Sequence, residues 1–145
     1  MTSKLIAEFT VDGIPKGQPR PRAFSRGGKA RIFDSGTAEG WKGQIALAVR
    51  PLLPPTPLEG PIELKIVFRM PRAKRLMRKK DPAGPLPHLA SPDVDNLLKA
   101  VMDCLTMVGL WRDDTQVIRC TAAKQYHAKD GRPGADIRIE EVIED

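Results

Sequence analysis

The residues best suited to chemistry in this chain are acidic, and they gather at two points. Asp93 and Asp95 lie in Pro92-Asp93-Val94-Asp95-Asn96-Leu97-Leu98-Lys99, and Asp113 and Asp114 lie in Trp111-Arg112-Asp113-Asp114. Grouped carboxylates are hard oxygen donors and could hold a hard divalent cation. Lys99 could stabilise charge on a phosphate or orient a water. Asn96 could hydrogen-bond a ligating carboxylate from behind. Bringing the two acidic points together is a task for the elements around them. Between them Leu97, Leu98, Val101, Cys104, Leu105 and Val108 recur at spacings of three and four, which predicts one amphipathic helix. Gly109 ends the pattern, free to take positive φ. Asp93 and Asp95 then stand at the positive end of the helix dipole. A helix of ~14 residues is ~21 Å long, so Asp113 and Asp114 rejoin the first pair only if the chain turns back along the helix as a strand. Neighbours in a strand point to opposite faces, so one of Asp113 and Asp114 is expected to point inward.

Blander readings exist for each residue. An Asp before a helix is commonly an N-cap, and an Asp-Asp after a Gly is commonly a solvated turn. Lys99 and Asp103, four apart on the polar face, could form an ordinary surface ion pair. The combination of D-x-D-N-x-x-K with a following D-D is more specific than any of these parts.

Pro-Asp-Val-Asp-Asn-Leu-Leu-Lys-Ala-Val-Met-Asp-Cys-Leu followed by Gly-Leu-Trp-Arg-Asp-Asp-Thr-Gln-Val resembles the signature of the RusA-type Holliday-junction resolvases, densely over residues 92–118 and loosely over the whole chain. The resemblance implies a small α+β domain, a mixed β-sheet packed against two main helices, spanning residues 1–145. It implies a homodimeric, Mg²⁺-dependent endonuclease cutting four-way DNA junctions. Asp93, Asp95 and Asp114 match the family's catalytic acids, and Lys99 its catalytic-site lysine. On that basis Asp93, Asp95 and Asp114 are the expected Mg²⁺ ligands, with Asn96 and Asp113 behind them.

Composition agrees with a polyanionic partner. Lys plus Arg number 24 against 18 Asp plus Glu, a formal charge of +6. The acidic tail from Glu140 to Asp145 makes the remainder more basic still. At 145 residues a single domain can bury a real core. There is no run of about twenty apolar residues to span a membrane. Met-Thr-Ser-Lys leads straight into a strand-like pattern without an apolar signal core, so a cytoplasmic protein is expected. Cys104 and Cys120 have no metal-ligand spacing and read as small buried thiols in a reducing compartment.

In chain order, Leu5 to Val11 predicts a strand. A proline-stiffened turn then presents Lys16, Arg20 and Arg22, suited to phosphate contact. A short strand at 30–33 precedes a helix through Trp41, Ile45, Leu47 and Val49, with Asp34, Ser35 or Thr37 as its cap. Trp41 is expected in the core or an interface. Ile62 to Met70 alternates cleanly as a half-buried strand. Arg72, Lys74, Arg75, Arg78, Lys79 and Lys80 crowd the next loop, a self-repelling segment expected to be mobile until it meets DNA. Gln116 to His127 predicts a strand burying Ile118, Cys120 and Ala122, and residues 135–140 another, the two pairing as a hairpin. Two other function classes fit parts of this pattern: a non-catalytic basic DNA-binding module, and a metal-dependent nucleotide phosphohydrolase. No P-loop-type glycine-rich phosphate loop supports the latter.

Overall fold

The computed structural model describes residues 2–18, 22–26, 29–33 and 36–143. Seven strands and two helices follow the order β1 (Thr2–Asp12), β2 (Arg22–Arg26), β3 (Lys29–Phe33), α1 (Gly36–Val49), β4 (Ile62–Met70), β5 (Leu86–Pro87), α2 (Val94–Met107), β6 (Val117–Tyr126) and β7 (Gly134–Ile143). Five strands form a mixed sheet in the order β1-β7-β4-β6-β5, while β2 and β3 form a separate ribbon. This is the α+β arrangement expected, with two helices against one sheet.

β4 is the centre because it is the most regularly apolar strand. Ile62, Leu64, Ile66, Phe68 and Met70 are all buried. β7 lies antiparallel on one side of it, and β6 lies parallel on the other. The expected hairpin of β6 with β7 is therefore corrected: β4 separates them. A parallel neighbour requires a crossover connection, and the segment from 71 to 116, containing α2, supplies it. α2 thus covers the sheet beside β6, burying Leu97, Ala100, Val101, Cys104 and Leu105. α1 contributes Trp41, Ile45 and Val49 to the same core, so Trp41 belongs to the core. Asp34 and Ser35 lie outside the described residues, and Thr37 falls inside α1.

Two bulges explain imperfect alternation. In β1 the register slips between Leu5 and Ala7, leaving Leu5 exposed and Ala7 buried. In β6, Val117 pairs with Ile62 and Arg119 with Glu63, so Ile118 is unpaired and 56% exposed. Cys120 is exposed as well, correcting its expected burial, whereas Cys104 is buried and its thiol donates to the Lys42 carbonyl. No helix among the described residues is long and apolar enough to cross a membrane.

Candidate active site

The site is built on the two ends of α2 and the turn that follows it. Asp93 holds the N-cap position in an extended conformation, yet its side chain makes no cap hydrogen bond. Its carbonyl accepts the first helical bond, from Leu97 N at 3.1 Å. The carboxylate is exposed, so the capping role that would explain this aspartate blandly is not filled. Asp95, in the first turn, is exposed too, with Oδ1 accepting from Asn96 N at 2.9 Å. Burial of Leu97, Val101 and Leu105 turns the opposite stripe, with Asp95 and Lys99, to solvent.

At the other end, Gly109 takes a φ of 83° and reverses the chain. Leu110 and Trp111 are then buried, and the Trp111 indole donates to Thr106 Oγ1 at 2.7 Å. Asp113 and Asp114 lie in a 3-10 turn rather than in a strand. Asp113 is its N-cap, with Oδ1 accepting from Thr115 N at 3.0 Å. Gln116 completes the turn: Oε1 accepts from the backbone N–H groups of Arg112 and Asp113, and Nε2 donates to the carbonyls of Leu58 and Gly60, each at 2.9 Å. Sequence reading passed over Gln116, although Asp113-x-x-Gln116 has the capping-box spacing.

The two adjacent acids are thereby made unequal. The Thr115 backbone bond, then the hydrogen bond shared with Asp114, holds the Asp113 carboxyl below the usual range. Asp114 is pushed up, first by that shared hydrogen bond, then by burial and by the charges of Asp113 and Asp103, with Lys99 opposing. Asp114 thus lies within the electrostatic reach of Lys99 and Asp103 on α2. The described ion pairs do not include Lys99 with Asp103, so the simple surface bridge between them is not made.

The donor chemistry fits a hard divalent cation. Asp93 and Asp95 offer exposed carboxylates at a helix start, and Asp114 is crowded by like charges that a cation would relieve. Among the described residues no three acidic, His or Cys side chains converge into a ready ligating set. Asp93 and Asp95 stand at the start of α2 and Asp114 near Lys99 and Asp103 further along it, so the described residues do not close the three acids into one ligating set.

Basic segments flank the acids. Gln18 N donates to the Asn96 carbonyl at 3.2 Å, docking the Lys16 segment on the first turn of α2. A Cβ on Gly17 would lie 2.2 Å from Asn96 Nδ2, so only glycine permits this approach. Asn96 therefore has a packing partner on the basic turn. Arg20 lies outside the described residues. Arg22 opens β2, and its side chain is likewise outside the description. In the loop after β4, Lys74, Arg75, Arg78, Lys79 and Lys80 are exposed. Arg78 also pairs with Asp81 at 3.3 Å.

Arg72 departs from its expected role in phosphate contact. It is 8% exposed, and its guanidinium donates to four carbonyls: Leu76, Gly84, His127 and Pro82. Lys129 donates to the carbonyls of Arg78 and Asp81. The loop expected to be mobile is cross-braced by these two cations.

Comparison with known proteins gives a consistent placement. The sequence model described as Endodeoxyribonuclease RusA matches residues 12–140. The chain is 33% identical over 140 residues to the uncharacterized protein YqaN of Bacillus subtilis (strain 168), covering 93% of this chain and 96% of that protein. It is 26% identical over 114 residues to the crossover junction endodeoxyribonuclease RusA of Escherichia coli (strain K12), covering 79% of this chain and 82% of that one. The corresponding protein of Enterobacteria phage 82 has the same identity and coverage. An acid-bearing helix, a capped Asp-Asp turn and a family match across nearly the whole chain agree: the protein belongs to the RusA endodeoxyribonuclease family.

Proposed function

We propose that this protein is a Mg²⁺-dependent, structure-specific endodeoxyribonuclease that resolves four-way (Holliday) DNA junctions by paired symmetric cuts, serving recombination and repair as a cytoplasmic homodimer. The observation that carries the reading is the Asp93 carboxylate, left without a cap bond at the start of a helix that also bears Asp95 and Lys99. The similarity to proteins named crossover junction endodeoxyribonucleases supports the substrate.

Asp93, Asp95 and Asp114 would hold the ion. When bound, Mg²⁺ supplies Lewis-acid polarisation of the phosphate and a more acidic water. The chain's own residues do the rest. Asp113 keeps its turn closed through Thr115, leaving Asp114 as the member of the pair beside Lys99. Lys99 offsets charge at the scissile phosphate. Lys16, Arg20 and Arg22 of the basic turn, with Lys74, Arg75, Arg78, Lys79 and Lys80 of the loop after β4, contact the DNA backbone and set its path across the acids.

The exposed side chains of Asp93, Asp95 and Lys99 suit a polymer better than a free nucleotide. A recess of about 670 Å³ on the open face of the sheet is lined by Glu8, Thr10, Lys65, Thr121 and Arg138 among others, and includes none of the candidate acids. The deciding experiment compares cleavage of a synthetic four-way junction with linear duplex, with and without Mg²⁺. Metal-dependent cutting confined to the junction is expected. Binding without cutting would make the chain a DNA-binding module. Hydrolysis of free nucleotides with no junction cleavage would make it a phosphohydrolase.

A further inference from the structure

Lys124 is a basic residue that neither the acidic motif nor the basic loop includes. It sits late in β6, opposite Phe68 of β4. Its ammonium group does not project as a free surface cation. Nζ donates to the Ala90 carbonyl at 2.5 Å and to the Pro92 carbonyl at 2.8 Å. Two of its three donors are therefore spent on the backbone immediately before Asp93.

We propose that Lys124 is a positioning residue for Asp93, fixing the Ala90–Pro92 turn so that the Asp93 carboxylate is aimed at the metal. The proposal rests on the reading of Asp93 as a ligand. Three observations carry it. Because the Asp93 side chain makes no cap bond, nothing on its own helix orients it. The backbone must do so, and it is gripped from both sides: Leu97 N donates to the Asp93 carbonyl, and Lys124 to the Pro92 carbonyl just before it. The same strand also governs the other acid, since β6 begins directly after the Asp114–Gln116 turn. β6 thus follows the Asp114 turn at its start and, from its far half, bonds to the backbone before Asp93. Bonds from a supporting residue to the frame of a ligand govern metal affinity and rate more than substrate affinity.

The test uses Lys124→Met, which keeps the aliphatic stem, and Lys124→Arg, which keeps charge and donors. Lys129→Met is the control, because Lys129 also donates to two carbonyls, of Arg78 and Asp81, away from Asp93. Mn²⁺ affinity of the DNA-free protein is measured by calorimetry, and the Mg²⁺ dependence of single-turnover junction cleavage alongside it. Lys124→Met is expected to weaken Mn²⁺ binding and raise the Mg²⁺ requirement by roughly 10–100-fold, with junction affinity little changed. Lys124→Arg should recover much of the loss, and Lys129→Met should show none. Wild-type Mn²⁺ affinity and Mg²⁺ dependence in Lys124→Met would overturn the proposal, as would an equal loss in Lys129→Met. If Lys124→Met does not fold, Lys124→Gln, which retains a donor but not the charge, takes its place under the same criteria. If the wild type binds Mn²⁺ but leaves junctions uncut, the resolvase reading fails, and the calorimetric comparison still decides the role of Lys124.

Discussion

At the residue scale, identity and spacing marked the acids, but not what each side chain is free to do. Asp93 and Asp113 both occupy N-cap positions, yet Asp113 caps its turn and Asp93 does not cap its helix. That division depends on the closing of the turn by Gln116, which no local pattern around Asp93 announces. Asp93→Asn, Asp95→Asn and Asp114→Asn should each nearly abolish cutting while the fold and junction binding persist, because losing a negative charge does not weaken attraction to DNA. Lys99→Ala should lose most turnover and keep binding, one lysine among 24 basic residues contributing little to the overall field. Near-wild-type turnover in any of the three Asn variants would remove that residue from the ligand set. Arg72 shows the opposite limit: in sequence it is one of six crowded cations, and only the fold reveals its four carbonyl partners. Arg72→Met should cost about 3 kcal/mol, because buried carbonyls lose their donor, while the salt dependence of DNA binding stays unchanged. Urea unfolding of Arg72→Met beside Arg75→Met checks this; equal stability of the two would refute it.

At the element scale, legibility followed the strength of the apolar period. α2 and β4 were plain in sequence because one face of each is wholly buried. β6 misled because Ile118 falls in a bulge and Cys120, though opposite buried Leu64, lies on a largely uncovered strand; both are exposed, and Ala122 is partly buried. The β6–β7 turn residues resembled a hairpin connection, but the more apolar β4 takes the place between them. The basic turn's contact with α2 was invisible as well, since Gly17 looks like any loop glycine. Gly17→Ala would drive a methyl group to within 2.2 Å of Asn96 Nδ2 and displace either the Lys16 segment or the Asn96 side chain. Reduced junction cleavage with little change in thermal stability is the expected result. Wild-type cleavage by Gly17→Ala would mean that this docking is dispensable. Neutralising Arg75, Arg78, Lys79 and Lys80 together addresses the braced loop. For every DNA phosphate that these side chains neutralise in the wild type, the slope of log affinity against log salt should become shallower by ~0.9 in the variant. An unchanged slope would show the loop to be a bystander.

At the scale of the whole molecule, the chain has one D-x-D-N-x-x-K motif and one Asp-Asp pair, whereas resolving a four-way junction takes two cuts in opposed strands. A junction has approximate twofold symmetry, and a C2 dimer is the commonest way to present two identical sites across such an axis. A second copy needs spare apolar surface, to be sought on the first helix or on an edge strand. Trp41 is buried and cannot serve, but Leu47 is 60% exposed on α1. Among the described residues the outer side of β6 is paired only at Gln125 and Tyr126, by the two-residue β5, and Ile118 is exposed along the remainder. An edge of this kind can pair with another strand, so either surface can meet its symmetry mate. A twofold homodimer is the expected state, measured by light scattering at micromolar concentration. The functional counterpart is a supercoiled plasmid extruding a cruciform. A dimer making both cuts within one binding event yields linear product directly, since the second site acts before the DNA is released. A monomer yields nicked circles, which become linear only after a second encounter. Accumulating nicked circles together with a monomeric mass would overturn the homodimer, and would remove the symmetry argument on which paired resolution depends.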